Sequence, residues 1–270
     1  PKLIDTLIGM YNAKIYPIIP SQGSVGASGD LAPLSYLAMA MMGLGEVIFQ
    51  DKQLLAEEAL RLAKIEAHEF HEKEGLSLIN GTQASTACAI IGLIETQMNF
   101  INACISGALS FEALTGKVEC FHPRVAELKQ SPGQYAYNQL MLSLLHRSEI
   151  SYDPTIPRRV QDPYSLRCQP QVMGAILEQL YDQAKHLVNE ANAVSDNPIM
   201  LDNPVSNGNF HAERTAFCAD ILAIIGSEIG SISERRMALL IDKNVSQLPS
   251  FLVNEAGLNS GFMIAHVTAA

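Results

Sequence analysis

The residues that invite chemistry first are 23–30, GSVGASGD, where small side chains crowd ahead of a carboxylate. Glycine, alanine and serine let a backbone approach a ligand or another segment closely. Three familiar loop chemistries fail on spacing. A phosphate cradle needs a Lys after the last glycine, and Asp30 follows Gly29. A dinucleotide fingerprint starts GxG, which is absent. A nucleophile elbow needs glycine two places after its serine, and Asp30 occupies that place after Ser28. A plain helix entry, with Asp30 as N-cap of the apolar run from Leu31, explains Asp30 and leaves Ala27-Ser28-Gly29 unexplained.

Other polar residues stand out less sharply. Asn80, in LINGTQ, reads by itself as an Asn-Gly turn before a helix. Tyr164 and Arg167 share a helical face if their segment is helical, and a planar guanidinium suits a carboxylate. By itself such an Arg is as well explained by a surface ion pair. Phe210, by the same standard, reads as ordinary core packing. His68 and His71 suggest a metal, but no third ligand is near and HExxH is missing; with Lys73 and Glu74 they read as a solvated helix end, so no metal site is expected.

Helical periodicity dominates the elements that must position these residues. Residues 31–44 run apolar to a stop at Gly43 and Gly45, and 51–65 are amphipathic through Leu54, Leu55, Ala59, Leu62 and Ala63. Residues 83–115 contain no proline and are apolar on nearly every face, which predicts a buried helix of about 45–50 Å. Residues 171–193 and 211–242 carry two more long helical patterns. Irregular segments fall at 17–29, 76–81, 151–169 and 196–210, with 15–19 the best strand candidate. The expected fold is all-α: a bundle of long helices with irregular, polar active-site loops at the helix ends.

Composition bounds the function. Hydrophobic residues are 48% and charged residues 17%, as in a globular chain. A net charge of −10, with no basic cluster beyond Arg158-Arg159 and Arg235-Arg236, argues against nucleic acid. Five scattered cysteines without a CxxC pair fit neither a disulfide framework nor a zinc module, and suggest a reducing compartment. Glu95, Asn99, Asn102, Asp220 and Glu228 interrupt the longest apolar helices, and no signal peptide precedes them; a cytoplasmic protein without a membrane partner is expected. The start at Pro1 and the end within an apolar pattern suggest a piece of something longer.

Ala27-Ser28-Gly29 followed by DLAPL closely resembles the signature of the aromatic amino-acid ammonia-lyases. LINGTQ (residues 78–83), VQDPYSLRC (160–168) and GNFH (208–211) match the same family in the same order, so the resemblance covers essentially all 270 residues. Residues 1–270 are therefore read as the central helical region of an ammonia-lyase-like protein, cut at both ends. QDPYSLRCQPQVMG and GNFHAE are similar to the histidine-type members, which implies L-histidine as the small-molecule substrate and urocanate plus ammonia as products. Phenylalanine or tyrosine ammonia-lyase, or an aminomutase, is the alternative within the enzyme class; a non-catalytic helical assembly core is the alternative outside it.

The resemblance implies a self-made electrophile, 4-methylidene-imidazol-5-one (MIO), cyclised from Ala27, Ser28 and Gly29, with no external cofactor. It implies that Asp30 positions the loop, that Asn80 donates to the MIO carbonyl, and that Tyr164 lies near the ring. Arg167 would grip the substrate carboxylate, Gln161 would make a polar contact, and Phe210 would pack over the ring. It also implies a homotetramer whose active sites combine residues of several subunits. The family's presumed tyrosine base and its imidazole-binding glutamate lie outside these 270 residues, so this chain alone is expected to be weakly active or inactive.

Overall fold

The structure is a computed structural model, and it describes residues 2–270. In chain order the first elements are α1 (Lys2–Ala13), β1 (Tyr16–Pro17), α2 (Leu31–Met41), β2 (Glu46–Phe49), β3 (Lys52–Leu55), α3 (Ala56–Ala63) and α4 (Glu74–Ile79). The long helix α5 (Gln83–Ala113) leads to α6 (Pro123–Lys129), α7 (Pro132–Leu144), α8 (Glu149–Tyr152) and α9 (Tyr164–Arg167). Then come α10 (Gln169–Ala191), β4 (Ile199–Met200), β5 (Pro204–Val205), α11 (Glu213–Ile241), α12 (Lys243–Ser246) and α13 (Met263–Ala269). The long helices end within about two residues of where periodicity puts them.

Two expectations need correction. Residues 51–65 are not one helix: β3 pairs antiparallel with β2, and only the remainder is helical. The link is a two-residue turn in which Gln50 and Asp51 both take positive φ, 50° and 59°. That is the twist a tight hairpin requires, reached here without the Asn-Gly pair that would announce it. Residues 76–81 are mostly helical rather than irregular, since α4 carries them as far as Ile79. The strand expected at 15–19 is present as β1, paired with β2.

Two compact units make up the chain, Pro1–Ile90 with His186–Cys218, and Ile91–Lys185 with Ala219–Ala270. In the first, Met10, Ile15, Met41, Val47, Phe49 and Leu60 form a core beneath the β1–β3 sheet and α3. In the second, Phe111, Phe121, Tyr137, Met141 and Met173 are fully buried, with the Phe111 and Phe121 ring centroids 4.9 Å apart. Gly174 is required there, because a Cβ on it would sit 2.5 Å from the Gln134 backbone. All five cysteines are unpaired.

Helix α5 is less buried than its composition predicts. Ile91, Ile94, Met98, Ile101, Ile105 and Leu109 are each about half exposed or more, between 48% and 64%. By length and hydropathy alone, residues 74–113 and 213–241 would also be able to cross a membrane.

Candidate active site

Within the first unit, residues 24–30 form an irregular turn between β1 and α2. Ala27 and Ser28 face outward, whereas Gly29 and Asp30 are buried. Gly29 holds φ at +78°, and a Cβ there would lie 2.9 Å from Asn80 C and from Gly81 N and O. Only glycine takes both that conformation and that contact. The Asn80–Gly81 backbone is thus the wall against which the tripeptide turns. Asp30 N–H donates to the Gly81 carbonyl at 2.7 Å, fixing the wall to the loop.

Asn80 follows the last residue of α4 and is buried. Its Nδ2 donates to the Ser28 carbonyl at 2.7 Å, across 52 positions of sequence. Neither the Gly29 N–H nor the Ala27 carbonyl has a hydrogen-bond partner among the described residues. The nitrogen and carbonyl that would have to join in a five-membered ring are therefore unengaged, while the carbonyl between them is held.

Asp30 is fully buried, but its side chain does not cap its own helix: at the start of α2 it makes no cap bond. Its carboxylate instead accepts from Ser24 Oγ at 2.6 Å, Ser85 Oγ at 2.5 Å and Ser85 N at 2.7 Å. The capped helix is α5, whose N-terminal partial positive charge favours an anion there. Asp30 thus occupies the N-cap position of α2 as expected, its carbonyl accepting from Leu34 N at 3.0 Å, while its side chain goes to these tertiary partners. The Gly26 carbonyl accepts from Ala212 N at 3.0 Å, tying the loop to the segment just after half-buried Phe210.

Within the second unit, Tyr164 and Arg167 are the ends of α9, so the helical face they were expected to share exists. The Arg167 guanidinium lies over the Tyr164 ring, 4.5 Å from its centroid. Arg167 Nε donates to the Asp162 carbonyl at 3.0 Å, and its Nη groups have no partner among the described residues. The buried Asp162 carboxylate accepts from Lys117 N at 2.7 Å and lies 3.7 Å from Arg159. Tyr164 is 71% exposed, and Gln161 is exposed with no bond among the described residues. The predicted residues thus form two groups, Ala27, Ser28, Gly29, Asp30, Asn80 and Phe210 in one unit, and Gln161, Tyr164 and Arg167 in the other.

His68 departs from the solvated helix end expected of it. It is buried, with Nε2 2.9 Å from Glu74 Oε2 and an edge-on contact to Phe70. That bond, with a second from His71 N, holds the Glu74 carboxyl below its ordinary value. Sequence reasoning missed Ser24 and Ser85 around Asp30, and Ser195 and Asp196 beside α4. Ser24 lies six residues from Asp30 within the opening stretch, whereas no local pattern marks the other three, whose partners are distant in sequence.

Comparison with known proteins adds to this geometry. A profile of the aromatic amino acid lyase family matches residues 1–270. Histidine ammonia-lyase of Idiomarina loihiensis is 53% identical over 99% of this chain, and the chain spans 53% of that relative's length. The crystal structure of histidine ammonia-lyase from Trypanosoma cruzi superposes with a TM-score of 0.88 at 37% identity, covering 99% of this chain and 51% of the other. Pantoea agglomerans phenylalanine aminomutase superposes at 0.91 with 31% identity, over 98% of this chain and 55% of the other. The shared fold therefore does not separate these activities, whereas sequence identity rises toward the histidine enzymes. The chain spans about half the length of the curated relatives it matches. With the profile running through all the loops described above, the chain belongs to the aromatic amino acid lyase family.

Proposed function

We propose that the whole protein eliminates ammonia from L-histidine to give trans-urocanate, through an MIO group made from Ala27, Ser28 and Gly29. The observation that carries this reading is the Asn80 amide donating to the Ser28 carbonyl at 2.7 Å. Ring closure is attack of the Gly29 nitrogen on the Ala27 carbonyl carbon, with loss of one water. Loss of the Ser28 hydroxyl with its α-hydrogen, a second water, leaves the exocyclic methylidene. The residues fit this chemistry: the Ser28 carbonyl becomes the ring carbonyl, and Asn80 is already aimed at it. Gly29 supplies a nitrogen with no side chain in its way.

Once formed, such a group would supply an electrophilic carbon that activates the substrate amine as a leaving group. The chain's own residues bind and orient around it, and the base for the β-proton comes from outside these 270 residues. The Asn80 N–H stabilises negative charge at the carbonyl oxygen. Asp30 holds the loop against the start of α5. Arg167, with Nε spent on Asp162 and its face on Tyr164, presents its remaining N–H groups to the substrate carboxylate. Tyr164 offers a phenol donor, Gln161 a polar contact and Phe210 an aromatic wall.

Histidine is preferred to phenylalanine or tyrosine because identity to the histidine enzyme, 53%, exceeds the 31% to the aminomutase. The apolar stripe of α5 supports a homotetramer, and the unpaired cysteines fit the cytoplasm. The test is intact mass together with an amino-acid panel. Wild-type protein should lack two water molecules that Ser28→Ala retains, and the whole protein should release urocanate; this chain alone should turn over weakly or not at all. An unmodified wild-type mass would overturn the ring, and cinnamate without urocanate would overturn histidine.

A further inference from the structure

A polar clamp grips the segment that carries Asn80. Helix α4 has six residues and no fully buried one, and so short a helix does not hold itself in place. On its N-terminal side, Lys73 Nζ donates to both Asp196 carboxylate oxygens at 2.8 and 2.9 Å, and to the Asn197 carbonyl at 3.3 Å. Ser77 Oγ donates to Asp196 Oδ2 at 2.9 Å. On its C-terminal side, Ser195 Oγ accepts from Thr82 N and from Gln83 Nε2, each at 3.3 Å. Thr82 Oγ1 donates to Glu190 Oε1 at 2.9 Å. Lys73 itself sits at φ +72°, a conformation uncommon outside glycine.

Two consecutive residues thus hold both ends of residues 73–83, the segment containing Asn80. We infer that Ser195 and Asp196 are positioning residues for the reaction proposed above, acting on the Ser28 carbonyl through Asn80 and not by contact with it. The inference rests on that proposed reaction. Its physical basis is that a donor must sit within a few tenths of an ångström of its best position to stabilise developing charge. The Asn80 side chain inherits its position from a segment that these two residues anchor at both ends, alongside the bonds of Thr82 to Glu190 and of Gly81 to Asp30.

The test is a double-mutant cycle in the whole protein with Asp196→Asn, Asn80→Ala and the pair, reading kcat, KM, intact mass and thermal midpoint. Asp196→Asn keeps the shape and removes the charge that binds Lys73. It should lower kcat about ten- to a hundredfold while KM moves less than about threefold. Asp196→Glu should restore part of the loss. In the Asn80→Ala background, Asp196→Asn should cost no more than about a further twofold, since the group it positions is gone. Full multiplication of the two losses, or a kcat for Asp196→Asn within about twofold of wild type, overturns the clamp. If Asp196→Asn does not fold, Ser195→Ala enters the same cycle with the same criteria. A wild-type protein that turns over and lacks two waters, yet shows independent losses, defeats the clamp alone. A wild-type protein of unmodified mass defeats the proposed reaction, and the clamp with it.

Discussion

The Asp30 carboxylate closes the first turn of a helix that begins more than fifty residues after it: Ser85 donates to it with both its backbone N–H and its hydroxyl. With Ser24 Oγ, three donors converge on a side chain that has no solvent exposure. Asp30→Ala would leave all three part-buried donors without this partner, costing about 2–3 kcal/mol. Ser85→Ala removes only the hydroxyl and should cost about 1 kcal/mol, because the N–H bond survives. Urea unfolding of both variants measures the difference. Equal losses would mean that the Ser85 N–H and the Ser24 hydroxyl contribute nothing.

Gly29→Ala tests the wall that Asn80 and Gly81 present to the loop. The added methyl would meet three backbone atoms at 2.9 Å in a left-handed conformation, and no side chain there can move aside. The variant should retain the unmodified mass and lose lyase activity in the whole protein, while the β1–β3 sheet and its core stay folded. Circular dichroism together with intact mass separates these effects. A Gly29→Ala protein that still loses two waters would show that the turn tolerates a side chain.

The long helices were legible because apolar runs without proline leave few alternatives, and their observed ends differ from the patterned ones by about two residues. The hairpin at residues 46–55 was not legible: Gln50 and Asp51 adopt positive φ without the residues that advertise it. Asp30 was legible as the N-cap of α2 in position, but the partners of its side chain were not. An aspartate before an apolar run is a local signal for an N-cap, and a serine 55 positions later takes up its side chain. The candidate site was legible through four short motifs, and its supports were not. Lys73 meets Asp196 across 123 residues, a pairing that no window of sequence contains.

Acid should probe that same pairing. Burial raises the Asp196 carboxyl, but the bonds from Lys73, Ser77 and Asn197 N–H together bring it below its ordinary value of 3.8. A carboxyl lowered in the folded state stabilises fully above that ordinary value and loses its contribution as pH falls through the lowered one. Thermal melts taken downward from pH about 5 should therefore fall more steeply for wild type than for Asp196→Asn. Glu74, lowered chiefly by its bond to His68, keeps some acid sensitivity in both. Parallel curves would mean that the Lys73 bridge contributes nothing to folding.

Arg167→Lys separates charge from geometry at the second group of residues. Lysine keeps the charge but loses the fork, the Nε bond to Asp162 and the flat face over Tyr164. In the whole protein, KM for L-histidine should rise about tenfold or more, with the larger share of the effect in KM. Steady-state kinetics decides. An effect confined to kcat would place Arg167 away from the carboxylate.

The stripe on α5 should decide assembly. Its residues recur at spacings of three and four, which is one face of a helix, and each is at least 48% exposed in the single chain. A contiguous apolar face of that length is a site of association in soluble proteins. In a symmetric assembly one substitution enters every equivalent interface, so its effect is multiplied. Ile101→Arg, near the middle of the stripe, places an unpaired charge in each copy of that contact. Light scattering on the whole protein should show a tetramer for wild type and smaller species for the variant, with helical content retained. If the variant remains a tetramer at micromolar concentration, the α5 stripe is not the assembly surface.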